Sequence, residues 1–294
     1  MAIMVNNFQV DERYSSLLLP NLFFGDWMVP GVTYNDEYER DATGAGGIWV
    51  RKLKITPGDP TLPGGDYTNT TPDSELAQIV LNNSYDRSTK VHAALEAQTG
   101  VNLAASYYEL NLRQVREDMN QSGLACLYTE GSKAVAPTAN TAKGKILGSC
   151  AAMAKKKVKP TVALCSPDFY YTVVAEAGSQ YIPDINNRIN DSGTVGNWLG
   201  INFIMVNGLS TPNASKYIDY TGTTKSATAA NLGGVEYMLL DPRVFHCVTS
   251  VTSMRMINSE HFPGQLAQCT VVNGYRVTNA DGIHVATKAS EKQQ

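Results

Sequence analysis

The chain has 294 residues, of which 43% are hydrophobic and 17% charged, and its net charge is −3. The charged fraction lies below the roughly 25% usual for soluble domains, which excludes disorder driven by charge. The near-neutral balance excludes a strongly basic nucleic-acid binder, and the length allows one large or two ordinary domains. So few charges on so long a chain suit a surface partly covered by other chains.

Residues 1–43 show no sustained period. Their apolar cluster, Leu17 to Phe24, is broken by Pro20 and Asn21 and follows Asp11 and Glu12, so it reads neither as a signal peptide nor as a membrane span. An arm so apolar is expected to lie against the body of its own fold or a neighbour. Gly44–Gly47 opens a strand, Ile48–Ile55, with Trp49, Leu53 and Ile55 on one face and Arg51 between them. Thr56 to Glu75 holds four prolines and three glycines and is neither helix nor inner strand. A second β-like run, Leu76–Leu81, continues weakly to His92, and the whole reads as an extended hairpin.

A helix follows Asn102, with Tyr108, Leu112, Val115 and Met119 at i, i+4, i+7 and i+11, and Gly123 marks its end or a break. Residues 130–139 read as a linker. Asn140 or Thr141 caps a second helix to about Val158, with Ile146/Leu147, Cys150 and Ala154 on one face and lysines 155–157 at its end. Thr161–Cys165 is a short buried strand, and Ser166-Pro167 starts a third helix that runs to Gly178. The strand Ile201–Val206 follows Gly193, Gly196 and Gly200; residues 207–234 read as loop. Val235–Leu240 is a strand, with a turn at Asp241-Pro242. The last quarter is β: Phe245–Val251, Leu266–Val272 and Tyr275–Thr278, with turns at Asn273-Gly274 and Asn279–Gly282 before Ile283–Ala286.

No reaction is supported by the residues. The five cysteines are widely scattered and read as buried small hydrophobes. His246-Cys247 and His261 are close in sequence, but adjacent strand residues point to opposite faces. The four histidines lack metal-ligand spacing, and the glycine sets precede strands, as turns do. Lys155–Lys159 resembles a nuclear signal or a phosphate-binding patch but reads better as helix-end lysines answering the macrodipole, and Asp36/Glu37 reads as a solvated or interfacial face. No catalytic residue, metal or cofactor is expected.

The order of elements resembles that of the major capsid protein of tailed bacteriophages, the Hong Kong 97 fold. Local pieces are similar too: Ser166-Pro-Asp-Phe-Tyr-Tyr171, Gly193-x-x-Gly196-x-x-x-Gly200-Ile201, and Val235–Phe245 with Val271, Tyr275-Arg-Val and Asp281-Gly-Ile283. The resemblance implies an α+β fold with an N-terminal arm (1–43) and an extended E-loop hairpin (44–92). It also implies a peripheral domain (93–132 and 245–294, spine helix about 102–124) and an axial domain (133–244).

It further implies a structural protein that assembles with itself as hexamers and pentamers into an icosahedral shell around double-stranded DNA. The location implied is the virion capsid, assembled in the host cytoplasm, with no membrane contact. A separate scaffolding protein, a portal and decoration proteins are the further partners. The expected interface residues are Trp49, Arg51, Lys52, Lys54, Leu62 and Tyr67 of the hairpin, with Leu22, Phe23, Phe24 and Trp27 of the arm. Tyr108, Leu112, Val115 and Met119 are the expected core of the spine. Net −3 implies a genome held loosely. The alternatives are an encapsulin-type cargo shell on the same fold, a β-rich surface adhesin, and an unrecognised hydrolase. The adhesin would lack the central helices, and the hydrolase would show a deep polar pocket.

Overall fold

The computed structural model describes residues 27–38, 47–54, 73–93, 103–178, 182–183, 196–210, 214–258, 261 and 263–288. The expected hairpin is present as β1 (Gly47–Lys54) and β2 (Asp73–Val80), antiparallel, with Gly47 opposite Val80 and Lys54 opposite Asp73. Residues 83–92 do not extend it. They form β3 (Asn83–His92), which joins a separate three-stranded sheet of order β12-β13-β3, where β12 is Phe245–Asn258 and β13 is Gly264–Val277.

Asn273-Gly274 is not a turn, because β13 runs straight through it. A Cβ on Gly274 would stand 2.3 Å from the Val80 carbonyl oxygen, so the glycine admits the base of the hairpin across the sheet. The β12 strand shifts register opposite this point, between Thr249 and Val251. A pair of residues that usually makes a tight turn is used here for close backbone approach and a bulge.

The long helix α1 (Leu103–Glu130) has 28 residues, about 42 Å. Val115 is fully buried against Cys269 and Val271 of β13, with Leu112, Met119 and Tyr85 packed around them. Asn111 fixes the register, accepting from the Thr89 hydroxyl at 3.0 Å and donating to the Ala267 carbonyl at 3.1 Å. Gly123 neither ends nor breaks α1. A Cβ there would lie 2.8 Å from Met28 Sδ and 3.2 Å from the Trp27 ring, so the glycine is a seat for the segment at 27–28.

Beyond α1 a seven-stranded sheet has the order β4-β14-β11-β5-β8-β7-β6. Its strands are β4 (Ser132–Val135), β5 (Val162–Cys165), β6 (Ile182–Pro183), β7 (Gly196–Trp198), β8 (Ile201–Met205), β11 (Val235–Leu240) and β14 (Ile283–Thr287). Ala163, Cys165, Tyr237, Leu239 and Ala286 meet α2 (Ala142–Lys155) and α3 (Pro167–Ala177) on one face. Val162, Leu164, Met238, Leu240, Ile283 and Val285 meet Leu124 and Leu127 of α1 on the other. Coverage of both faces is why β5 and the Tyr237–Leu240 part of β11 read as unbroken apolar runs.

Several expectations change. β4 is a strand, not linker, and pairs parallel with β14; β14 therefore belongs to the seven-stranded sheet and not to the sheet under α1. The buried face of α2 is Ala142, Ile146, Ser149 and Met153, while Leu147 is 48% exposed. A helix of Ala, Gly and Lys has too weak a pattern to show its inward face, and Gly148 is needed where Pro137 would otherwise meet a Cβ at 2.9 Å. Residues 207–234 are not loop throughout. They contain β9 (Ser215–Ile218), β10 (Thr224–Ala227) and α4 (Ala229–Gly233). The β9–β10 turn is held by Asp219, whose carboxylate accepts from the backbone N–H groups of Thr221 and Thr223, both at 2.9 Å.

Candidate assembly surfaces

Two segments lie on the body of the chain as appendages. The first is the strap at 27–38. Trp27 is 1% exposed, donates from Nε1 to the Asn120 carbonyl at 3.3 Å, and begins a stack of rings, Trp27–Phe245 and Phe245–Tyr275, each pair 6.3 Å between centroids. The Thr33 hydroxyl closes a local turn on Val29, and Asn35 N–H donates to the Phe245 carbonyl at 2.8 Å. Tyr38 then packs 5.4 Å from the His246 ring. Burial holds the His246 imidazole down to about 4, against an opposing pull from Glu37, so it is neutral near pH 7. Trp27 was expected at a subunit interface. It lies instead in the core of its own chain, because Gly123 opens a place for it there.

The second appendage is the β1–β2 hairpin. On its inner face Ile79 is 1% exposed and packs with Val248, Ile48, Val50, Leu81 and Tyr38. On its outer face Trp49 is 64% and Leu76 54% exposed. The register sets Trp49 opposite Gln78 and Leu76 opposite Arg51, which places all four positions on that face. Trp49 was expected as a contact residue; Leu76 was not, although its alternation with buried Ala77 and Ile79 carries the signal. The backbones of Arg51, Lys52 and Lys54 lie in β1. Leu62, Tyr67, Leu22, Phe23 and Phe24 fall outside the described residues, as does the side chain of Tyr108.

The cysteines, His246 and several charged groups are held within the fold. All five cysteines are thiols, and burial pushes those of Cys126, Cys165 and Cys269 up, away from the reactive thiolate. His246 faces Tyr38, whereas Cys247 belongs to the main core, so the two do not form a nucleophile pair. A cleft of about 250 Å³ opens between the starts of α2 and α3. Three of its charged side chains pair within the fold: Lys145 with Glu236 at 2.5 Å, and Glu176 with the N–H groups of Ala142 and Lys143 at 2.7 and 3.0 Å. Among the described residues no group of three or more His, Cys, Asp or Glu is placed to hold a metal ion.

No family model matches the chain, and no curated protein matches it in sequence. Solved structures do. A chain of the capsid structure of cyanophage P-SCSP1u superposes with a TM-score of 0.66 at 12% identity, over 95% of this chain and 92% of that one. The fold is that of a phage capsid subunit. A chain from Mycobacterium phage Che8 gives a TM-score of 0.66 at 15% identity, over 96% of this chain and 97% of that one. A chain of the mature capsid of bacteriophage PhiM1 gives 0.60 at 9% identity, over 93% of each.

Proposed function

We propose that this protein is the major capsid protein of a tailed phage, assembling with itself as hexamers and pentamers into an icosahedral shell around double-stranded DNA. The observation that carries the reading is the likeness to capsid chains over more than nine tenths of the length of both partners. The hairpin supports it: an exposed Trp and Leu stand on a two-stranded ribbon whose other face is already anchored, and such ribbons are marginal alone. In this reading the hairpin is the E-loop and its outer face, with Trp49 and Leu76, lies on a neighbouring subunit. The peripheral domain is α1 with β3, β12 and β13; the axial domain is the seven-stranded sheet with α2 and α3. The role is structural, not enzymatic.

Purified full-length protein, examined by sedimentation and negative-stain microscopy, should yield closed shells of uniform size. Protein that stays monomeric under all assembly conditions, with or without a scaffolding partner, would sink the reading. Filled shells that carry protein cargo in place of DNA would favour the encapsulin alternative.

A further inference from the structure

Between Gly131 and Pro167 the chain carries seven lysines and no Asp or Glu, although the whole chain is net −3. Folding gathers most of them at one end of α2. Lys155, Lys156, Lys157 and Lys159 lie at and just beyond its last turn, and Lys156 Nζ approaches Ser132 Oγ at 3.4 Å, which sets β4 and Lys133 alongside. Two of the five are engaged: Lys156 pairs with Asp281 at 2.6 Å, and Lys133 lies over the Tyr128 ring at 4.3 Å. Lys155, Lys157 and Lys159 are exposed and make no ion pair among the described residues.

Answering the helix dipole does not explain all of this, because that effect fades beyond the last turn and Lys159 lies outside it. Lys157 is more pointed. Its φ is +62°, and the N–H groups of Lys157 and Val158 close the helix on Ala154 and Met153 at 2.9 and 3.1 Å. That is the left-handed position glycine fills without steric cost, and α3 ends on such a glycine, Gly178, at φ +50°. At α2 the chain keeps a lysine in the strained place. Strain retained at an exposed charge points to a use for the charge. From Ala151 to Pro160 the only exposed apolar residues are the small Ala151, Ala152 and Ala154; the exposed Val135 of β4 and Leu147 of α2 lie outside this stretch. A protein partner needs an apolar anchor; a phosphate backbone needs only spaced cations.

We infer that this lysine end of α2 is where the inner face of the shell contacts the phosphate backbone of duplex DNA. The inference rests on the capsid reading and adds which face of the subunit is turned inward. The contact is sequence-independent, weak and salt-sensitive. Three lysine–phosphate contacts should fall roughly 40-fold in strength between 50 and 200 mM salt.

Binding of full-length soluble subunits to a random-sequence 30-base-pair duplex should show this dependence by fluorescence anisotropy. Lys155→Gln/Lys157→Gln/Lys159→Gln should reduce the slope of log affinity against log salt by about 2.7. Lys157→Gly alone should raise Tm by about 2–4 °C while reducing the slope by about 0.9. Stabilisation with DNA binding untouched would show that the charge of Lys157 makes no DNA contact and overturn the inference. So would binding to polyglutamate but not to DNA. In closed shells, a polymer-linked amine reagent too large to enter should spare Lys155, Lys157 and Lys159, while a small permeant one modifies them. Modification by the large reagent means an outward face, and resistance to both means a subunit interface; either overturns the inference. A chain that never forms shells would refute the capsid reading, whereas the DNA-binding measurements are made on free subunits and stand by themselves.

Discussion

The seven-stranded sheet and the β1–β2 hairpin are built from similar residues and end differently. In the sheet, alternate side chains of β5 and β11 go into two cores, and both faces are closed by the chain's own helices. In the hairpin, only the inner face closes, on Val248 and Tyr38, and the outer face leaves Trp49 and Leu76 in solvent. A two-sided core is a self-sufficient fold. A one-sided ribbon with an exposed indole is not closed by its own chain. The strap at 27–38 is the intermediate case, an appendage that Gly123 and the Phe245 ring have drawn into the two-sided core.

The contrast breaks most severely at Trp27. Trp27→Ala removes the end of the ring stack and leaves a cavity beside Gly123, for an expected loss of about 3–5 kcal/mol. Denaturant unfolding with an unchanged slope and a lower midpoint checks this. A loss under 1 kcal/mol would mean the strap is not a core element and would return Trp27 to the interface set. Next in size is Gly274→Ala, which sets a methyl against the Val80 carbonyl at a distance no backbone tolerates. A loss of about 2–3 kcal/mol is expected, since backbone atoms and not a flexible side chain must move.

Acid should loosen the strap before it loosens the rest. His246 has a folded pKa of about 4 against an ordinary value near 6.5, so the unfolded chain takes up the proton first as pH falls. Stability is therefore complete above about 6.5 and declines down to about 4, no faster than about 1.4 kcal/mol per pH unit for one proton. His246→Asn should flatten this limb. Equal acid sensitivity in the variant would show that carboxylates such as Asp219, whose pKa is held low by the Thr221 and Thr223 donors against the pull of burial, control the whole decline.

Much of this was legible in the sequence, and the failures share a cause. Ser166-Pro167, the apolar run of β5 and the stripe of Leu112, Val115 and Met119 follow local rules, and they stand where those rules put them. Gly123 and Asn273-Gly274 were misread because a glycine reserved for a distant neighbour looks the same as one that ends a helix or makes a turn. β4 was missed because four residues at a sheet edge carry almost no pattern. The alternation of β1 sets Trp49 on one face in the sequence, and that face is the exposed one. Leu76 became visible only once the register with β1 was known. The lysines after α2 were visible, but the left-handed φ of Lys157, which gives them meaning, is a property of the backbone alone.

The smallest expected change in stability tests the comparison most sharply. Trp49→Ser/Leu76→Ser alters only the outer face of the hairpin, where both side chains are more than half exposed in the single chain. Neither leaves a cavity or an unpaired group within the subunit, so monomer stability should stay within about 0.5 kcal/mol of the parent. At a contact between subunits the same pair would bury a large apolar area, and an aromatic anchor of this kind often carries about 2 kcal/mol or more. That loss recurs at every equivalent contact of a closed shell, so a modest local change is multiplied across the assembly. The expected result is a monomer with an unaltered unfolding midpoint and little or no closed shell by sedimentation. Shells formed at the parental yield would show that the outer face of the hairpin is solvent-exposed in the assembly as well. A midpoint lowered by more than about 1 kcal/mol would show that the hairpin was never one-sided.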